Sequence, residues 1–253
     1  MRRRLAVSWR NSALALLCCA GAARAQDAPL ENLARAYPEA VARIDGDAIV
    51  FRDGTRMNAG ISDPSKPLAV LLRDATIRDQ FRFDYPAGAA ILAPPKDFDP
   101  GRFRNQAFFE KLYGDCRRTK IDLVPVRWTG GGTVMFARAN GAAEHLREVA
   151  ADLEKLPADI RRAADRIAGT YDCRGVADTG RLSMHAYGAA IDLDLRYSDY
   201  WLWEKGGWRN RMPKDIVDAF ERHGFIWGGR WYHYDTMHFE YRPELLAGDS
   251  RPR

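Results

Sequence analysis

A glycine-centred motif in the last third of the chain, S-x-H-x-x-G-x-A-x-D, constrains the fold more tightly than any other feature. It places His185 ahead of Asp192, with Gly188 between them. Glycine allows the chain to turn sharply, so two strand ends on either side of it can aim the imidazole and the carboxylate at one point. We therefore expect a local turn that brings these two side chains together.

A second motif, D-x-x-H, follows a Gly-Gly pair and contains Asp235 and His238. The histidines His185 and His238, together with Asp192, provide the nitrogen and oxygen ligands of a three-ligand zinc site, which leaves the fourth position open for water. A second carboxylate nearby, that of Asp235, can take the proton from that water. The two motifs predict one bound Zn²⁺ ion with Asp235 as the catalytic base, although this type of ligand set also admits other divalent ions.

Together the motifs closely resemble those of the zinc D-Ala-D-Ala carboxypeptidases and L-Ala-D-Glu endopeptidases, a family that shares its fold with the Hedgehog signalling domain. The resemblance covers residues 165–242. It implies that His185, Asp192 and His238 bind zinc, that Asp235 is the general acid and base, and that the substrate is the peptide stem of peptidoglycan. An aspartate preceded by G-G-x-W looks more like the endopeptidase branch, because the other branches more often carry glutamate.

The resemblance also implies an upstream arginine that stabilises the oxyanion or the substrate. Arg174 is the best match, and Arg181 is its competitor. Ser183 and His233 are further candidates for substrate binding, because they lie close to the two motifs. We assign the two remaining histidines of the mature chain, His145 and His223, to structural roles on helices.

Two alternative functions stay open. One is a zinc hydrolase that acts on other secreted peptides, and the other is a non-catalytic zinc-binding cell-wall protein on the same scaffold. Asp235 weighs against the second alternative, because a purely structural metal site needs no base.

The first 25 residues have the layout of a secretory signal peptide. Four arginines (Arg2, Arg3, Arg4 and Arg10) precede an apolar stretch over Ser12–Ala23, and Ala23-Arg24-Ala25 forms a small-x-small cleavage site. The apolar stretch is too short to span a bilayer. We expect a secreted or periplasmic protein from which residues 1–25 have been removed.

The mature chain is expected to be neutral and soluble. The whole chain has 39 Lys and Arg against 34 Asp and Glu, and residues 1–25 contain five arginines and no acidic residue. The mature chain therefore has 39 − 5 = 34 basic residues against 34 acidic ones. This balance predicts no nucleic-acid partner. No later segment is long and apolar enough to span a membrane, so we expect no stable membrane insertion. We expect a monomer.

The mature chain keeps two of the four cysteines, Cys116 and Cys173. In an oxidising compartment an even pair favours a disulfide over two free thiols. Neither cysteine lies in a C-x-x-C pair, so neither is expected to bind metal.

The elements predict an α+β fold with a small antiparallel sheet and flanking helices, of the Hedgehog/DD-peptidase type, plus an N-terminal elaboration. We expect an N-terminal region of unassigned function over 26–110, a catalytic domain over 111–245 and a polar tail over 246–253. The turn residues predict a hairpin over 42–54 and a loop over 84–101. The pattern of apolar residues predicts strands at 121–128 and 133–137. Helices are predicted at 29–43 (interrupted at Pro38), 105–113, 142–156, 158–167 and 214–223.

Overall fold

The computed structural model of the chain describes residues 28–177, 179–203 and 206–246. The predicted signal peptide and nearly all of the predicted polar tail lie outside these residues. Within the described part, no helix combines the length and the apolar character needed to cross a membrane.

Short helices and small antiparallel sheets make up the fold, which confirms the predicted α+β class. The described residues form α-helices at 28–36 (α1), Leu68–Leu71 (α2), Gln106–Tyr113 (α3), Ala142–Leu153 (α4), Ala158–Arg161 (α5) and Lys214–Arg222 (α6). Their strands are Val41–Asp45 (β1), Ala48–Phe51 (β2), Arg56–Asn58 (β3), Leu123–Arg127 (β4), Thr133–Ala137 (β5), Ile167–Gly169 (β6), Ala190–Leu193 (β7), Phe225–Trp227 (β8) and His238–Tyr241 (β9). They form sheets in the orders β1-β2-β3, β4-β5 and β6-β7-β9-β8.

The predicted hairpin over 42–54 is confirmed. Strands β1 and β2 pair antiparallel around the Asp-Gly turn, with Asp45 opposite Ala48. Strand β3 adds a third strand that the sequence did not predict. The strand prediction at 133–137 is also confirmed by β5, and β4 is shorter than predicted because it begins at Leu123.

Helix α3 begins where the sequence predicts, because the side chain of Asn105 accepts a hydrogen bond from the backbone N–H of Phe108 at 2.9 Å. The helix predicted over 158–167 is wrong. Only Ala158–Arg161 is helical, and Ile167 begins β6, where it lies opposite Leu193 of β7. Pairing with a neighbouring strand has outweighed the local helical pattern at this point.

One hydrophobic cluster runs through both the N-terminal and the C-terminal parts of the described chain, from Leu30 in α1 to Tyr241 in β9. The division predicted at residue 110 stays a prediction, and this core lies on both sides of it. A disulfide joins Cys116, which follows α3, to Cys173, which follows β6, with the Cα atoms 5.9 Å apart. The predicted pairing is confirmed, and the disulfide anchors the segment that leads into the first motif.

Candidate metal centre

The two middle strands of the four-stranded sheet carry two of the predicted ligands. Strands β7 and β9 are antiparallel, and Asp192 lies directly opposite His238. Side chains of directly opposed residues project on the same face with their Cβ atoms about 5 Å apart. The register of this one strand pair therefore brings the carboxylate beside the imidazole.

His185 lies in a short 3-10 turn, Met184–Tyr187, rather than at a strand end as the sequence predicted. The hydroxyl of Ser183 caps this turn by accepting a hydrogen bond from the backbone N–H of His185 at 3.3 Å. The turn ends at Gly188, which has a φ of +66°. A Cβ atom at this position would lie 2.4 Å from Cδ2 of Leu123, so any other residue would require this side chain to move in addition to holding a left-handed backbone.

Three potential ligand atoms converge on one point. Oδ1 of Asp192 lies 3.2 Å from Nε2 of His185 and 3.0 Å from Nδ1 of His238, and the two nitrogens are 3.2 Å apart. Tetrahedral zinc with ligand distances of about 2.1 Å separates its ligand atoms by about 3.4 Å. These three side chains therefore fit a zinc ion with little movement, and all three are buried or nearly so.

The other nitrogen of each imidazole is bound to an acceptor. Nδ1 of His185 lies 2.5 Å from the carbonyl oxygen of Thr170, and Nε2 of His238 lies 3.0 Å from Oε2 of Glu240. Donation of the N–H to these oxygens leaves the two facing nitrogens with their lone pairs, together with a carboxylate oxygen. Such partners are typical of metal-binding histidines, because they fix the tautomer and the ring orientation.

The electrostatics of the centre favour a cation. Burial alone would lower the pKa of His238, but hydrogen bonds to Asp192 and Glu240 outweigh burial and raise that pKa to about 10. Burial would likewise raise the pKa of Asp192, yet hydrogen bonds from His185 and His238 hold it well below its usual range. The carboxylates thus stabilise positive charge at this place, which a proton or a metal ion can supply.

Glu240 links the centre to two buried arginines. Its Oε2 accepts from Arg104 at 3.3 Å as well as from His238, and its Oε1 accepts from Arg242 at 2.8 Å. Glu240 therefore contacts both a candidate ligand and two arginines. Arg104, Arg242 and Thr170 were not predicted, because no local pattern marks residues so far from the motifs in sequence.

Asp235 lies beside the three ligands. Its backbone N–H donates to the carbonyl oxygen of Gly228, and a Cβ atom at Gly228 would lie 2.4 Å from the carbonyl oxygen of Asp235. Burial raises the pKa of Asp235 to about 6, with His238 opposing the rise and Asp192 adding to it. Its Oδ1 is buried and has no hydrogen-bond partner among the described residues.

A segment before α3 lies against the second motif. The carbonyl oxygens of Phe98 and Pro100 accept hydrogen bonds from the backbone of Tyr232 and the indole of Trp231. Asp99 is fully buried there and accepts from the backbone N–H and from Nδ1 of His233, the latter at 2.7 Å. His233 is therefore fixed by a residue from the loop that the sequence predicted over 84–101.

The same segment brings Arg102 towards the site. Its guanidinium lies 3.2 Å from Asp99 and 5.8 Å from the ring centroid of Trp231. It also lowers the pKa of Asp235, which places its charge within electrostatic reach of that carboxylate. Arg102 is another residue of this site that the sequence did not predict.

The two predicted arginines lie in different environments. The side chain of Arg174 is half exposed, with Nε 3.1 Å from a carboxylate oxygen of Asp172. Arg181 is buried, and its guanidinium donates to the carbonyl oxygens of Arg104 and Arg102 at 3.0 and 3.3 Å. Arg181 therefore supports the backbone of the 102–104 segment, whereas Arg174 is accessible from solvent.

Aromatic residues adjoin the site beside Asp235. Tyr200 forms an isolated β-bridge with Asp235, and the ring of Trp201 contacts that of His233 with centroids 4.8 Å apart. Trp203, which contacts Tyr200, is 58% exposed. Trp203 thus exposes its indole beside Tyr200, the residue that bridges to Asp235.

Residues 177–241 match the model of a protein family described as D-alanyl-D-alanine carboxypeptidase. The matched span contains the three candidate ligands and Asp235. It is the family that the two motifs predict, so the resemblance is confirmed for this part of the chain, and the match supports a peptidase. Comparisons with curated proteins and with solved structures found no match.

Proposed function

On the premise of that family match, we propose that the chain is an exported zinc peptidase that hydrolyses a peptide bond in the peptidoglycan stem. The observation that carries this proposal is the convergence of His185, Asp192 and His238 on one point, within 3.2 Å of one another. The acceptors behind the two imidazoles, Thr170 and Glu240, support a metal-binding role rather than a chance cluster.

The mechanism follows from the residues around this point. Zinc bound there would act as a Lewis acid that activates water and polarises the scissile carbonyl. Asp235 accepts the proton of the attacking water and then delivers it to the leaving amine. Its burial suits this role, because a pKa of about 6 is closer to neutrality than that of an ordinary aspartate.

Arg174 is the better of the two predicted arginines for stabilising the developing oxyanion or holding the substrate. Its half-exposed guanidinium can turn towards a ligand, whereas the guanidinium of Arg181 is already engaged by two backbone carbonyl oxygens. We assign Arg181 to the support of Arg102 and Arg104. The hydroxyl of Ser183 already caps the turn that contains His185. We therefore assign Ser183 first to holding this turn and only second to contacting the substrate.

Export and the fold type belong to the same proposal. The signal-like segment at 1–25 would deliver the chain to the compartment that contains its substrate, and a disulfide is consistent with an oxidising environment. The four-stranded antiparallel sheet that carries the ligands is compatible with the Hedgehog/DD-peptidase fold.

Replacement of the proposed base is the first test. We expect Asp235→Asn to lower the rate of hydrolysis by about 10²–10⁴-fold, the usual contribution of a general acid or base, while as much zinc stays bound as in the wild type. Asp122→Asn is the matched control, because Asp122 is an exposed aspartate whose ion pair with Arg138 is at the surface. Wild-type turnover in Asp235→Asn would show that the base is assigned wrongly.

Digestion of purified peptidoglycan, followed by mass spectrometry, separates the candidate reactions. Release of free D-Ala would identify a carboxypeptidase, and new N-terminal D-Glu would identify an endopeptidase. Cleavage of an unrelated peptide but not of peptidoglycan would favour a general secreted peptidase. Binding of peptidoglycan by the zinc-loaded protein without any release would favour a non-catalytic wall protein and contradict the proposal.

A further inference from the structure

A second cluster of potential metal ligands lies where α4 packs beside the end of α6. His145 and Glu148 are one turn apart on α4, and His223 is the residue that caps α6. The ring of His145 stacks on Tyr241, with centroids 5.3 Å apart. Tyr241 is the last residue of β9, about 10 Å along the strand from its first residue, so this cluster is distinct from the centre around Asp192.

The donor atoms of this cluster face one another. Oε2 of Glu148 lies 3.0 Å from Nδ1 of His145 and 3.1 Å from Nδ1 of His223. One ligand atom from each of the three residues lies within 4.8 Å of the other two, and the two nitrogen–carboxylate distances are similar to those in the catalytic set. Two imidazole nitrogens and one carboxylate oxygen suit zinc and its neighbours among the divalent transition metals.

A further carboxylate holds one of these imidazoles in place. Nε2 of His223 lies 2.9 Å from Oδ2 of Asp152. The same Oδ2 accepts a hydrogen bond from Arg222, and Oδ1 of Asp152 accepts one from Lys155. When the Nε2–H donates to Asp152, the lone pair of Nδ1 points at the carboxylate of Glu148. A lone pair and a carboxylate oxygen at 3.1 Å repel each other unless a proton or a metal cation lies between them.

We propose that His145, Glu148 and His223 bind a second divalent transition-metal ion, with zinc as the natural occupant. Asp152 acts as the partner that orients His223, in the carboxylate–histidine–metal arrangement common at such sites. The ion would join α4 to the end of α6 and fix the ring that packs on Tyr241. Because its donors are partly exposed, this site would exchange its metal faster than the buried centre.

The test measures how many zinc ions bind to each molecule of the protein without residues 1–25. Chelator-stripped protein is equilibrated with Zn²⁺, and bound metal is measured by atomic emission. We expect two equivalents in the wild type and one in His223→Gln or Asp192→Asn. The double variant should bind none. Glu144→Gln is the matched control, because Glu144 lies on the same helix and pairs only with Arg147 among the described residues.

Each outcome bears on one of the two sites. One equivalent in the wild type that is kept in His223→Gln and lost in Asp192→Asn, or two in both His223→Gln and His145→Gln, would overturn the second site and leave the catalytic one intact. One equivalent that is lost in His223→Gln and kept in Asp192→Asn would instead overturn zinc binding at the catalytic centre. NMR can also show whether both ring nitrogens of His223 carry a proton at neutral pH. If they do, and the wild type binds one equivalent, a proton rather than a metal ion holds His223 and Glu148 together, and the second site is overturned. Should His223→Gln fail to fold, the more exposed His145→Gln serves, because loss of one equivalent there supports the site equally well.

Discussion

Replacement of Glu240 by glutamine tests whether the charge behind His238 serves the metal centre. Glu240 is fully buried and accepts hydrogen bonds from Nε2 of His238 and from the guanidinium groups of Arg104 and Arg242. Glutamine keeps the shape of the side chain and removes the negative charge. The imidazole of His238 then loses the carboxylate that fixes its tautomer. The same carboxylate also makes the nitrogen that faces the metal site more basic, and this effect is lost with it.

Two separate losses are expected. Loss of such a partner weakens metal binding by about 10–100-fold, which corresponds to about 1.4–2.7 kcal/mol. The metal-free protein should also lose about 3–5 kcal/mol of unfolding free energy, because Arg104 becomes a buried charge without a carboxylate partner. Arg242 contributes less to this loss, since its Nε still donates to Glu244 at 2.6 Å.

Glu244→Gln is the control that separates the two effects. Glu244 is equally buried and belongs to the same network, where it pairs with Arg242 and accepts from the hydroxyl of Tyr37 at 2.6 Å. It makes no direct contact with His238. We therefore expect Glu244→Gln to lose less stability than Glu240→Gln, because Arg242 still pairs with Glu240, and to bind zinc as tightly as the wild type.

The assays are chelator competition for zinc affinity at fixed pH and urea unfolding of the metal-free proteins. Refolded samples with native circular dichroism are compared, so that a fall in affinity is not caused by loss of structure. Equal zinc affinity in Glu240→Gln and Glu244→Gln would refute the reasoning, because His238 would then need no carboxylate behind it.

Three other changes test the turn, the arginine and the disulfide. Gly188→Ala should cost at least about 1–2 kcal/mol in urea unfolding, because its backbone is left-handed, and it should weaken zinc binding by displacing the 3-10 turn. Arg174→Gln should lower kcat/KM at unchanged Tm, whereas Arg181→Gln should lower Tm, as measured by calorimetry; equal effects would contradict the different roles. Replacing Cys116 and Cys173 by serine opens a loop of 57 residues and should lower the free energy of unfolding in urea by about 4 kcal/mol. An unchanged urea midpoint would contradict this expectation.

Features set by neighbouring residues could be predicted from the sequence. The Asp45-Gly46 hairpin and the start of α3 at Asn105 depend on turn and capping chemistry within a few residues. The helix predicted over 158–167 failed for the opposite reason. Ile167 lies in β6 because of a partner strand far along the chain, and no local pattern reveals that partner.

The same distinction applies to the candidate site. The motifs contain His185, Asp192, Asp235 and His238, and the structure brings these residues together; their metal and catalytic roles stay predictions. The groups that hold them lie elsewhere. The carbonyl of Thr170 cannot be recognised from sequence, because any residue type provides one.

The span that matches the carboxypeptidase family, residues 177–241, contains the proposed ligands and base but not all of the residues that hold them. Asp99 fixes His233, and Arg104 balances Glu240 behind His238. Both come from the region to which the sequence assigned no function. Because buried charges need partners, the charge that orients His238 depends on a cation supplied from outside the matched span. The N-terminal region therefore contributes to the electrostatics of the centre, and its contribution is invisible to a motif comparison that considers the ligands alone.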